Sequence, residues 1–465
     1  MMSDQQKNQE ELLELAHIMK REWDERARLD AKWFINTLRF QQSEEEFDRS
    51  GAVEVEHILG DDLGFLTQRH DPKSLRVLEV GCGLGRMTRH LAKIFGEVVG
   101  TDVSGEMIRQ ARERLSDLKN VQLHETNGFD LPLFPDESFD LILAARVFQH
   151  VPSPQIIGSN ISECWRVLKP GCIFRFQTNS LTSFGYEEIE KDTWTGASFS
   201  ESEIRHFARK NDALLISIYG VNTLSCWTTI RKCPSTRSSV PLNAERPRIE
   251  YYGRTSDPQI KTIPIRGADA SLTLCVLGLD CSQVDCNSIA IELNERIILP
   301  RYTGPVRHKL ESYLRGSIAA EPDRLTQIEF SIPGDTPVGL LPLRFIIGDK
   351  CSDPIDIEFK DDPPIPPKIC SILNAYDNSA DIHARGEKSK LRILVEGLNE
   401  AADTGNVRVQ IGERIVKPSF IGFMTSRRLY EVDAQLPEGV TSGPTQLSIY
   451  FGNLQSPSEP LEIKY

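Results

Sequence analysis

Apolar and polar positions change rhythm twice along the chain. From about residue 75 to 230, short apolar runs alternate with helical periods. Residues 75–80 (LRVLEV) read as a buried strand, followed by glycines and a helix over 87–95. A strand at 97–100, a helix from a Ser104 cap to about Leu115, and strands at 121–124 and 139–144 come next. Ile161, Cys164, Trp165 and Leu168 recur at i, i+3, i+4 and i+7, so they share one helix face. Lys169-Pro170-Gly171 stops that helix before a fifth strand at 172–177. Strands that alternate with helices build a parallel sheet covered on both faces, a doubly wound α/β fold. A capping-box pattern, Ser200-x-x-Glu203, opens one more helix. Runs at 214–218 and 224–230 then read as two closing strands, an antiparallel pair at the sheet edge.

The flanks differ. Residues 1–50 are charged and helix-prone but carry Trp23, Trp33, Phe34, Phe40 and Phe47, more large rings than a solvated helix bears. The stretch 1–70 is therefore expected to be a helical cap packed on the α/β domain at 71–232. Proline and serine mark a linker at 233–248. Beyond it the texture is all-β, with short alternating runs and many turn residues. An internal repeat runs through it: ERIILPRYTG at 295–304 matches ERIVKPSFIG at 413–422. Two β-sandwiches are expected, at 249–360 and 366–465, joined by a stiff proline-rich hinge. Each is about the ~100 residues of an immunoglobulin-like domain. The pair resembles the tandem domains of plexins and some transcription factors, which implies a surface for protein or glycan contact. Separate cores are expected to make residues 249–465 independent of the domain before them.

Composition narrows the functions. The chain has 465 residues and carries 54 Lys+Arg against 67 Asp+Glu, a net charge of −13. Such a chain repels phosphates, which argues against broad electrostatic binding of nucleic acid. No apolar run approaches the ~18 residues of a membrane span. The first residues are polar, without the apolar core of a signal peptide, so a cytoplasmic location is expected. Ten cysteines are scattered without a CxxC pair, and the histidines show no metal spacing. Reduced thiols fit better than a zinc cage or disulfide framework, Cys281 and Cys286 being the one candidate bridge.

The candidate chemistry starts at Glu79-Val80-Gly81-Cys82-Gly83-Leu84-Gly85-Arg86, which follows the first strand and opens a helix. Glycines there let the backbone turn tightly and approach a ligand. Nicotinamide and flavin enzymes use similar loops, so the surroundings decide. Asp102 ends the second strand, where a carboxylate can accept both hydroxyls of a ribose. Val103 and Met107 follow, placed for apolar contact with an adenine, and Arg166-Val167-Leu168-Lys169-Pro170-Gly171 precedes the fifth strand. In this order the features resemble the S-adenosylmethionine-dependent methyltransferases of the Rossmann-like class, over residues 75–230.

The resemblance implies S-adenosylmethionine as cofactor. Glu79, Gly81, Cys82, Gly83 and Gly85 would hold its methionine part and Asp102 its ribose. Asn127 and Gly128 lie in the adenine loop, Asn127 standing where the family usually has Asp. Phe148-Gln149-His150 follows the fourth strand, on the rim where ligands bind in doubly wound sheets. His150 is a candidate general base, or a structural partner of the loop backbone. Arg146 is a candidate contact to the cofactor or to an anionic group of the substrate. Trp23-Asp24-x-Arg26 and Trp33-Phe34 resemble the caps that close over the cofactor in small-molecule members. The reading is a methyltransferase acting on O or N of a small-molecule, glycan or lipid-linked acceptor. A non-catalytic scaffold and a nicotinamide-dependent oxidoreductase are the alternatives.

Overall fold

The computed structural model of the chain describes residues 4–36, 42–60, 63–67, 70–181, 192–233, 247–265, 270–280, 284–315, 322–348, 350–361, 366–375, 378–386, 389–398, 402, 407–424, 429–437, 439–451 and 454–465. Most of the expected linker, along with Phe40 and Cys281, lies outside them. Among the described residues, no helix is long and apolar enough to cross a membrane.

Three helices come first: α1 (Asp4–Ile35), α2 (Glu44–Leu59) and α3 (Leu63–Leu66). A capping box, in which Ser43 and Glu46 exchange hydrogen bonds, starts α2. The α/β domain follows in the order β1 (Arg76–Val80), α4 (Thr88–Ile94), β2 (Glu97–Asp102), α5 (Gly105–Arg114), β3 (Val121–Glu125) and β4 (Phe139–Ala144). Then come α6 (Pro154–Val167), β5 (Leu168–Thr178), α7 (Glu201–Lys210), β6 (Leu214–Tyr219) and β7 (Cys226–Arg231). The strands lie β3-β2-β1-β4-β5-β7-β6, the first five parallel and the last two antiparallel. Successive side chains of a strand point to opposite faces, and both faces here are buried. Thus Leu78 and Val80 enter one core with Phe174 and Ile161, while Val77 enters another with α2 residues Val55 and Ile58.

Lys169-Pro170-Gly171 does not separate helix from strand as expected. Strand β5 begins at Leu168, directly after α6, and the turn bulges from it: Phe139 pairs with Leu168, but Leu141 pairs with Ile173. Gly171, at φ +82°, supplies the left-handed residue of that bulge.

Each C-terminal unit holds two facing sheets around one core, as a β-sandwich does. In the first, Leu274 and Ile328 of one sheet meet Ile291 and Phe345 of the other. The repeat is visible residue by residue. Hairpin Ile289–Leu293/Arg296–Ile298 pairs Ile291 with Ile298, and hairpin Val407–Ile411/Arg414–Val416 pairs Val409 with Val416.

The expectation of an independent C-terminal half needs correction. Strand Tyr302–Pro305 of the first unit pairs with β6, Tyr302 opposite Ser217, so one 11-stranded sheet runs through both domains. Ile218 N–H donates to Arg301 O at 2.8 Å, and Cys286 N–H to Leu215 O at 2.8 Å. Cys286 is fully buried in the core of the α/β domain. Arg205 of α7, 5 % exposed, donates to Cys286 O, Asn287 Oδ1 and Pro300 O at 3.1–3.2 Å. Ending the chain near Pro241 would strip β6 of its outer neighbour and leave an open edge strand.

Two outcomes follow from this joint. A chain truncated at residue 241 should aggregate or melt well below the full chain, while one ending at residue 361 should not; size-exclusion and thermal unfolding distinguish them. Arg205→Ala leaves these three acceptors, and Glu201 Oε1 on its own helix, without their donor; at about 1 kcal/mol for each acceptor across the joint it should cost about 3 kcal/mol in urea unfolding.

Candidate active site

Strand β2 ends on Asp102, whose carboxylate is held by main-chain donors. Gly83 N–H donates to Oδ2 at 2.9 Å and Ser104 N–H to Oδ1 at 2.9 Å. These two bonds fasten the glycine loop to the start of α5. Burial pushes the Asp102 carboxyl up to about 6 against the pull of those donors. On the adjacent strand Glu79 is 4 % exposed and accepts Thr88 Oγ1–H at 2.6 Å; burial raises it to about 7.

The loop above these acids needs glycine for two reasons. Gly81 (φ +68°) and Gly83 (φ +53°) are left-handed, and Gly85 (φ +72°) is a third. A Cβ at 81 would lie 2.2 Å from Val147 Cγ2, and one at 83 would lie 2.7 Å from Ile35 Cδ1. The loop after β4 and the end of α1 therefore both press on the glycine loop. Helix α1 is pinned there by Asp24, whose Oδ1 accepts Ser104 Oγ–H at 2.6 Å and Glu106 N–H at 3.0 Å.

Other expected contacts are placed differently. Cys82 sends its side chain into an apolar cluster with Ile108, Ala111 and Leu123, so only its main chain lines the loop. Met107, 1 % exposed, packs with Ala27, Ala31, Phe47 and Leu84 where the cap meets α5. Val103 lies against Gly128, at 3.0 Å from where a Cβ would stand. Asn127 is engaged within its own turn: its Oδ1 accepts Phe129 N–H at 3.1 Å and Asp130 N–H at 3.0 Å, and its Nδ2 donates to Asp130.

His150 ends a directed chain of hydrogen bonds. Arg146 N–H donates to Gln177 Oε1 (3.1 Å), Gln177 Nε2 to Gln149 Oε1 (2.8 Å), and Gln149 Nε2 to His150 Nε2 (3.0 Å). His150 Nδ1–H then donates to Trp194 O at 2.9 Å. Each donor in this chain fixes the next, so the imidazole is neutral with its proton on Nδ1. Burial drives its pKa down to about 4. Around it stand Trp23 and Trp194, with ring centroids 5.4 Å from the imidazole, and Trp33, stacked 6.1 Å from Trp194. Arg26 clamps this cluster, donating to Thr193 Oγ1 at 2.8 Å with its guanidinium 4.8 Å above the Trp23 ring. Arg146 turns away from the loop to Glu54 of α2.

Sequence reasoning missed Gln177, Glu54 and Trp194. Gln177 had one signal, a polar residue at the carboxyl end of a buried strand. Glu54 and Trp194 had none, because their partners are distant in the chain.

The depressed His150 pKa makes a pH-dependent prediction. Its folded value lies below the ordinary 6.5, so the unfolded chain binds the proton first as pH falls. Its contribution is complete above about pH 6.5 and lost toward pH 4. Glu79 and Asp102, raised in the fold, act in the opposite sense. Urea midpoints at pH 7 and pH 5 should therefore fall less on acidification in His150→Gln than in the parent chain.

Residues 78–176 match a family described as "Methyltransferase domain". The chain is 42% identical over 95 residues to the demethylmenaquinone methyltransferase of Tropheryma whipplei, covering 20% of this chain and 38% of that one. It is 33% identical over 110 residues to the ubiquinone biosynthesis O-methyltransferase of Xanthomonas oryzae pv. oryzae, covering 23% and 45%. It thus spans less than half the length of these relatives. A SAM dependent methyltransferase from Aquifex aeolicus is a solved structure similar to it, at 19% identity and TM-score 0.30, covering 41% of this chain and 98% of that one. The match to the methyltransferase-domain family is confined to 78–176, and the helical cap and both β units lie outside it.

Proposed function

We propose that the protein is an S-adenosylmethionine-dependent methyltransferase that methylates O or N of a small-molecule acceptor. The observation that carries this reading is Asp102 fastened to Gly83 beneath a loop that excludes side chains. The residues fit the cofactor. Gly81, Gly83 and Gly85 keep the loop's main chain bare where Val147, Ile35 and Leu115 pack against it, Cys82 adds main-chain groups, and Glu79 offers a buried carboxylate for a cationic ligand. Asp102 would bind the ribose hydroxyls, and Val103 with Gly128 would contact the adenine. Asn127 Nδ2 already donates to Asp130 and its Oδ1 accepts within its own turn, so main-chain groups of that loop are the better partners for the base. When bound, S-adenosylmethionine supplies a methyl group on a sulfonium that is already a good leaving group.

The chain's own task is then to bring a nucleophile into line and exclude water. His150 has both ring nitrogens engaged and is a weak base, which supports an orienting role over general-base work. The aromatic cluster of Trp23, Trp33, Trp194 and His150 supports a flat, largely apolar acceptor. The names of the two relatives, which refer to quinone compounds, point the same way; a glycan or lipid-linked acceptor has less support.

Two substitutions test the reading. Asp102→Ala should weaken S-adenosylhomocysteine binding about tenfold or more, because charge-assisted hydrogen bonds are worth roughly 1.5–3 kcal/mol; unchanged affinity in a folded variant would remove Asp102 from the site. His150→Asn should lower turnover by no more than about tenfold. A drop on the order of a hundredfold with cofactor affinity preserved would instead mark His150 as a general base.

A further inference from the structure

The loop after β4 carries a charged group whose side-chain partner lies on α2. Arg146 is a non-glycine residue in the left-handed region (φ +58°), and Gln177 holds it there by accepting its N–H. Backbone strain of this kind persists where the surroundings over-determine it, often at ligand sites. Its guanidinium meets Glu54 edge-on, Nε to Oε1 at 3.2 Å and Nη2 to Oε2 at 3.3 Å. Among the described residues Nη1 has no hydrogen-bond partner, and the side chain is 51% exposed.

The same Glu54 carboxylate also faces Arg86, Nη2 to Oε2 at 3.9 Å. The Arg86 side chain is only 7% exposed, and its Nε is buried without a partner. Two guanidinium groups therefore converge on one carboxylate and leave a positive charge in excess. Glu79, whose charge also acts on Arg86, does not offset it fully, because burial keeps Glu79 partly protonated up to about pH 7. Glu431 of the second β unit adds its field at Arg146 but is itself paired with Arg392 at 2.8 Å.

We propose that Arg146 is an oxyanion hook: its free Nη1 edge binds a carboxylate or phosphate group of the acceptor, while Glu54 holds the guanidinium in position. The planar fork of arginine matches such groups with two parallel hydrogen bonds. That the oxyanion belongs to the methyl acceptor rests on the methyltransferase reading; binding at Arg146 does not.

Inorganic phosphate and acetate, titrated into the full chain at constant ionic strength, are the probes. Thermal unfolding should show saturable stabilisation by phosphate, and stabilisation by acetate as well would extend the site to carboxylates. Arg146→Gln should abolish the effect, and Arg146→Lys, which keeps the charge but loses the fork, should weaken it at least fivefold. Glu54→Gln, which keeps a hydrogen-bond acceptor beside the guanidinium but removes the nearby negative charge, should tighten phosphate about tenfold. Arg344→Gln, at an exposed position of the first β unit, should change nothing. S-adenosylhomocysteine binding, measured on the same samples, reports the cofactor site separately. Absence of saturable phosphate binding by the parent chain, or its survival unchanged in Arg146→Gln, overturns the proposal.

Discussion

The candidate site depends on one carboxylate. Asp102 stands at the end of β2 and takes a main-chain N–H from the glycine loop and another from the start of α5. Parallel pairing of β1 with β2, Val80 opposite Thr101, is what brings loop and carboxylate together. Once the loop is fixed, its left-handed glycines present a surface without side chains, and Val147 and Ile35 close on it from two sides. Helix α1 is then positioned by Asp24 on α5, which carries Trp23 and Arg26 to His150 and Thr193. The aromatic cluster is thus an indirect consequence of the same constraint.

A second constraint governs the architecture. The two β units share a strand plan, yet the corresponding edge strands have different neighbours. Tyr302–Pro305 completes the sheet of the α/β domain through β6, whereas Phe420–Met424 ends its own sheet. An edge strand carries unpaired backbone groups that must be covered or paired. The α/β domain ends on β6, and the first unit meets that need with its own edge, with Tyr302 almost wholly buried at the junction. The first unit is therefore part of the scaffold of the α/β domain.

Much of this was legible in the sequence because it is local. The alternating strands and helices, the capping box at Ser200, and the repeat at 295 and 413 are all written in short-range patterns. The left-handed glycines at 81, 83 and 85 were legible because turn geometry constrains residue type. The sequence left the surroundings of Met107 open, because an apolar residue on a helix looks the same whether it faces a ligand or a core. The hydrogen-bond chain through Gln177 and Gln149, the Glu54 pair and the joint at β6 join residues far apart in the chain, and a single sequence does not display such pairings.

The central claim is that the loop fastened by Asp102 is a site for S-adenosylmethionine. Isothermal titration of the full chain with S-adenosylhomocysteine, run beside NADH, tests it most directly. The account expects saturable binding at one site per chain for S-adenosylhomocysteine and none for NADH. A folded protein that binds NADH in preference, or fails to bind S-adenosylhomocysteine, would contradict it.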